Sequence, residues 1–112
     1  MIDDARLKAL ALAGDTKEAV HRAMSSDHPV AEAKRLAELH SCLEQIEADL
    51  RITALDHSIF ELQSLQQKLV RIDSGLDNRS GALKSVTRKV AALAKEIGVV
   101  IDLEEKVVKV VL

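Results

Sequence analysis

Apolar residues recur at helical spacing along most of this chain, and the longest such stretch is also free of helix breakers. From Val30 to Ser74, 45 residues run without one Gly or Pro. Within them Leu36, Leu39, Leu43, Ile46 and Leu50 follow a 3-4-3-4 spacing with every site filled, the signature of an amphipathic helix. Extending that register, Thr53, His57, Phe60, Ser64, Gln67 and Arg71 include one strong apolar residue. A second stripe takes over at Leu55, Ile59, Leu62, Leu65, Leu69 and Ile72. At 100° per residue the two stripes sit roughly 100° apart around a helix.

Three readings fit the offset. A continuous helix can carry a one-residue skip or π-bulge. The helix can break near Asp56-His57-Ser58, where Ser58 and Glu61 form a capping-box pattern. A straight helix can turn two faces to two partners. Propensity favours a continuous or gently bent helix over 29–72, because no true breaker is present. Such a helix is roughly 68 Å long, against about 35 Å for the width of a compact domain of this size. It must either project toward a partner chain or fold back.

The flanking segments are shorter. Residues 1–28 read as a helix pair. Asp3 caps the first helix, Leu7, Leu10 and Ala11 share its face, and Gly14 ends it. Asp15 and Glu18 open the second as a capping box, with Ala19, Val20, Ala23 and Met24 on its apolar side. The string Ala11–Val20 (ALAGDTKEAV) resembles the turn of tetratricopeptide-type helix pairs. It covers ten residues of a repeat of about 34, with no second copy. Ser25 to Pro29 is a break in which Asp27 or His28 caps and Pro29 fits the next first turn.

Residues 73–81 read as a loop. Beyond it Leu83, Val86, Val90, Leu93 and Ile97 again show 3-4-3-4 spacing, with Gly98 placed as a terminal glycine. This helix over 82–97 returns antiparallel along the distal half of the long helix. The tail, 99–112, is dense in β-branched residues and reads as a short β-hairpin or strand. A helix is the rival, because Asp102 and Glu105 form a capping box and Leu103, Val107 and Val110 share a helical face.

The expected fold is therefore mainly α, in one domain over 1–112. Two short N-terminal helices precede a long amphipathic helix, which forms an antiparallel hairpin with a basic one, and a C-terminal β element follows. The proximal stripe has no cover of comparable length. Leu36, Leu39, Leu43, Ile46 and Leu50 are thus the expected intersubunit seam of a homo-oligomer, with a dimer favoured. Val107, Val108, Val110, Val111 and Leu112 are the expected second contact.

Composition narrows the function. The apolar share is 47% and Phe60 is the only aromatic. That vocabulary suits helix-on-helix packing and lacks the aromatic platforms used to stack bases or line most small-molecule pockets. Net charge is −2, which does not make the whole molecule an electrostatic trap for nucleic acid or acidic membrane. Locally the balance differs. From Arg79 to Lys95 there are five cations, Arg79, Lys84, Arg88, Lys89 and Lys95, and no acid. The segment 30–74 carries eight acids and five bases. The opposite signs are expected to help pair the two arms of the hairpin. A surface for an acidic partner or nucleic acid is the alternative reading of those cations. Thr87–Val99 (TRKVAALAKEIGV) resembles the first helix of a helix-turn-helix motif, but almost no base-reading side chain follows Gly98.

No catalytic, cofactor or metal constellation is evident. The histidines, His21, His28, His40 and His57, are not at metal-ligand spacing. His40 and Glu44 lie four apart and should form an ordinary surface contact. His57 falls where the first stripe needs an apolar residue and reads as an exposed histidine. Cys42, the only cysteine, reads as a core filler in a reducing compartment. The four glycines are isolated, so there is no phosphate loop, and no nucleophile elbow or zinc motif appears. No secretory signal or membrane span is expected. The expected protein is a non-catalytic, cytoplasmic assembly, adaptor or chaperone-like factor without cofactor. The alternatives are a nucleic-acid-binding regulator using 79–95, and a monomeric compact bundle that binds a protein partner.

Overall fold

The computed structural model describes residues 2–25, 28–51, 59–76 and 81–111. They form four helices: α1 (Ile2–Met24), α2 (Val30–Arg51), α3 (Ile59–Ser74) and α4 (Gly81–Val111). Each packs on two neighbours in the cyclic order α1–α2–α3–α4, with α4 closing back onto α1. All four contacts are antiparallel. His21 meets His40 while Arg6 reaches Leu50, Gly75 lies against Arg35 while Cys42 meets Leu65, Thr87 meets Asp73 while Gln63 meets Glu105, and Thr16 meets Lys89 while Arg6 meets Glu104. The result is an up-down-up-down four-helix bundle, 50 × 20 × 19 Å.

Several expectations are corrected. The segment 29–72 is not one long helix, since α2 and α3 are separate and lie side by side. The expected break point, Asp56-His57-Ser58, lies outside the described residues, as does His57. The two stripes are distinct: Leu62, Leu65 and Leu69 are buried, whereas Phe60, Ser64, Gln67 and Arg71, the failed continuation of the first register, are exposed. The offset arises because the stripes belong to different helices, each with its own phase.

The proximal stripe needs no second chain. Leu36, Leu39, Leu43 and Ile46 are fully buried and Leu50 is 4% exposed, all within one protomer. Their cover comes from α1 and α3. The expectation that they form an intersubunit seam is thereby overturned.

The N-terminal segment is one helix, not two. Gly14 sits inside α1 with no positive φ, so it ends nothing. The inner face is as expected at Val20 and Ala23, which are fully buried, but not in the first half of the helix. It is an alanine-rich stripe, Ala5, Ala9, Ala13, Thr16, Val20 and Ala23, while Leu7 is 64% exposed. Small side chains let the α1 backbone sit close to α2 and α4. Thr16 joins this face by donating its hydroxyl to Leu12 O at 2.7 Å. At the far end Ser25 Oγ donates to Arg22 O at 2.6 Å, and His28 Nε2 lies 2.6 Å from Ala23 O, so terminal carbonyls of α1 find partners. The carbonyl of Pro29 then accepts the first α2 bond, from Ala33 N at 3.0 Å.

The helix expected over 82–97 extends to Val111, and the β element is not formed. Its core stripe, Leu83, Val86, Val90, Leu93 and Ile97, continues through Val100 to Glu104 without a change of spacing, and all seven are buried. β-branched content is a weak local preference. Here it yields to the packing of that continued stripe against α1. Gly98 lies mid-helix, 3.5 Å from Gln66 at the position a Cβ would take. Among the described residues there is no strand.

Candidate functional site

The core of α4 and its outer surface are built from two interleaved repeats. The inner repeat ends on Glu104, which takes a core position because Arg6 of α1 meets it. Both residues are about 95% buried and their side chains pair directly. The same guanidinium donates through Nη2 to Asp49 O and Leu50 O, each at 3.0 Å. These are among the last carbonyls of α2, which lack intrahelical partners, and a cation there also complements the helix dipole. One side chain thus ties the start of α1, the end of α2 and the end of α4 into a single register. Lys17 Nζ adds a second link, 2.7 Å from Glu47 Oε1. That oxygen is held by charge, without an aligned hydrogen bond. These groups stitch helices together and present no open face to a substrate.

The outer repeat of α4 is Lys84, Arg88, Ala91, Ala92, Lys95, Val99, Asp102 and Lys106, all exposed. Four cations therefore line a helix of roughly 46 Å, separated by small side chains. Internal pairing does not account for them. Among the described residues none of Lys84, Arg88, Lys95 and Lys106 forms an ion pair. It is the acids of α4 that pair internally, Glu104 with Arg6 and Glu96 with Lys8 at 3.7 Å. Among the described residues, the expected pairing of the hairpin arms by Lys84, Arg88 and Lys95 is therefore not found. α3 and α4 are instead joined by neutral and acidic groups: Gln66 Nε2 donates to Ala94 O at 2.8 Å, and Thr87 Oγ1 donates to Asp73 Oδ1 at 3.2 Å. Lys89 is only half-exposed and turns toward α1, where it borders a cleft of about 400 Å³ with Asp15, Glu18, Arg22 and Ser85. Arg79 lies outside the described residues.

The other singled-out residues disperse. Cys42 is buried between α2 and α3, its thiol 3.7 Å from Leu65 O. Burial pushes the thiol pKa up, with Lys68 partly opposing, so thiolate is scarce and nucleophilic chemistry is not favoured. Burial likewise raises Asp73, opposed by the Thr87 hydrogen bond. His40 does contact Glu44, Nδ1 to Oε1 at 2.9 Å. Sequence spacing gave no hint that His21 and His40 meet across α1 and α2, since 19 positions separate them. The chain beyond Lys106 is helical to Val111, and the side chains of the expected second contact, Val107, Val108, Val110, Val111 and Leu112, lie outside the described residues. Among the described residues no three His, Cys, Asp or Glu side chains gather as a metal group, and no helix is long and apolar enough to cross a membrane. No protein family, curated protein or solved structure matches the chain.

Proposed function

We propose that this protein is a non-catalytic adaptor: a four-helix bundle that presents the outer face of α4 to an acidic helical partner. The observation that carries the reading is the row of exposed cations on that face, Lys84, Arg88, Lys95 and Lys106, with no carboxylate of the described chain paired to them. The intervening Ala91, Ala92 and Val99 add a shallow apolar shelf on which a second helix can approach closely. An amphipathic helix with Glu or Asp flanking a small apolar stripe complements both features. Nucleic acid uses the charge alone, and the face carries no aromatic side chain for stacking. A homodimer through Leu36 to Leu50 is not part of this reading, because the bundle itself covers that stripe. A reducing, cytoplasmic setting fits the single buried thiol of Cys42.

The test is fluorescence anisotropy with a labelled acidic amphipathic peptide, alongside a DNA duplex of equal charge. The wild-type chain should bind the peptide in preference to the duplex, and added salt should weaken binding. The variant Lys84→Glu/Arg88→Glu/Lys95→Glu, with unchanged helicity, should bind at least about tenfold more weakly, a loss of 1.4 kcal/mol or more. An unchanged affinity in that variant removes the assignment to α4. Preference for the duplex replaces the adaptor with a nucleic-acid binder.

A further inference from the structure

A different pair of residues, at the seam between α1 and α2, suggests chemistry of another kind. His21 of α1 and His40 of α2 face each other at the surface seam between the two helices, with ring centroids 6.5 Å apart and planes inclined by 48°. His21 is exposed and the side chain of His40 is 30% exposed, so solvent and small ions reach both. Two imidazoles that share a metal through bonds of about 2.0–2.1 Å stand about 5–6.4 Å apart, the lower value for tetrahedral and the upper for linear geometry. At 6.5 Å the rings stand just beyond the linear limit, so metal binding requires a side-chain rotation that draws them together.

A carboxylate already stands beside the pair. Glu44 Oε1 lies 2.9 Å from His40 Nδ1, an ion-pair contact along the same helix. A carboxylate beside one ring nitrogen is the usual support of an imidazole that binds metal through the other. Two cations of α1 near His21 in sequence are engaged by carboxylates. Lys17 is held by Glu47 and Arg22 by Glu18, each at 2.7 Å. Neither ring contributes to the buried core, so the pairing is not explained by packing.

We propose that His21 and His40 form an interhelical site for a divalent late first-row transition metal, such as zinc, with Glu44 supporting His40 and water completing the coordination shell. Two neutral nitrogen ligands and an open, wet coordination sphere select this class over magnesium or calcium, which take oxygen ligands. With two protein ligands the site is one of modest affinity that exchanges metal with its surroundings. Its consequence for the fold is a clamp between α1 and α2, because a metal bound only by the native arrangement stabilises it.

Isothermal titration of the full chain with ZnCl2 at neutral pH, with thermal melts in millimolar ZnCl2, provides the test. The expected result is one zinc per chain and a raised Tm. Both effects should vanish in His21→Ala and in His40→Ala and persist in His57→Ala. Glu44→Gln should weaken binding about tenfold through loss of the supporting carboxylate. His21 is exposed, so its replacement leaves the bundle folded, which far-UV circular dichroism verifies. Absence of binding at millimolar zinc, binding that survives either His21→Ala or His40→Ala, or one zinc per two chains would overturn the site.

Discussion

The substitution Gly98→Ala separates two readings of the C-terminal quarter by its sign. If Gly98 ended a helix in the left-handed conformation, alanine would strain the backbone and destabilise the protein by about 1 kcal/mol. In the structure Gly98 lies inside a 31-residue helix without positive φ. Alanine there recovers the helix-propensity difference, about 0.8–1 kcal/mol. No clash offsets the gain, since the nearest atom to the new methyl is Gln66 Nε2 at 3.5 Å, an ordinary contact. The Gln66 bond to Ala94 O, on the same face, can stay in place. For a chain of 112 residues an entropy of unfolding of about 2.1 cal/mol/K per residue converts 1 kcal/mol into about 4 °C of Tm. Gly14→Ala should behave alike, because a Cβ there meets nothing within 4 Å. The two sites are far enough apart for their effects to add, giving about 8 °C for the double variant. Thermal unfolding followed at 222 nm, checked by urea titration, reads the result. A lowered Tm for Gly98→Ala would refute a continuous α4.

Other outcomes follow from the buried polar groups. Arg6→Met leaves Glu104 buried without its guanidinium and strips the carbonyls of Asp49 and Leu50, so urea denaturation should show a loss of about 3–5 kcal/mol. Arg6→Met/Glu104→Leu should recover much of that loss, and failure to recover would mean the pair contributes more than mutual neutralisation. Asp73 has its pKa raised above the ordinary 3.8, so the native state holds a proton more tightly than the unfolded one. Its contribution therefore falls as pH rises from about 4 through the folded pKa. Asp73→Asn, which keeps an acceptor for Thr87, should stabilise the protein at pH 7 but not below pH 4, and equal effects at both would contradict the assignment.

Much of the architecture was readable from spacing alone. The stripes at Leu36–Leu50, Leu55–Ile72 and Leu83–Ile97 were visible, but the first two were joined into one helix because no Gly or Pro separates them, and the failed register at Phe60, Ser64, Gln67 and Arg71 marks an outer face. What misled was punctuation and size. Gly14 and Gly98 look like stops, yet a helix tolerates an internal glycine for about 1 kcal/mol when packing on both sides continues. The inner face of the first half of α1 was missed because leucine outweighs alanine in any hydrophobic count. The face that turns inward is instead the one with the small side chains Ala5, Ala9 and Ala13. The Val-rich tail reads as strand locally, and the continued spacing through Val100 to Glu104 was hidden by the charge at its end. Of the candidate surfaces, Lys84, Arg88 and Lys95 were visible as a basic run. That their charges stay unmatched inside the chain depends on which helices become neighbours. The His21–His40 meeting depends on the same long-range pairing and has no local signal.

Sedimentation equilibrium of Leu43→Asp beside the wild type, with circular dichroism on the same samples, asks whether the Leu36–Leu50 stripe is the core of a single chain. Leu43 is fully buried within one chain, so a carboxylate there has no water and no partner. The variant should lose its helical signal at the single-chain mass of 12.2 kDa. A wild-type dimer that this substitution converts into folded, fully helical monomers would contradict it.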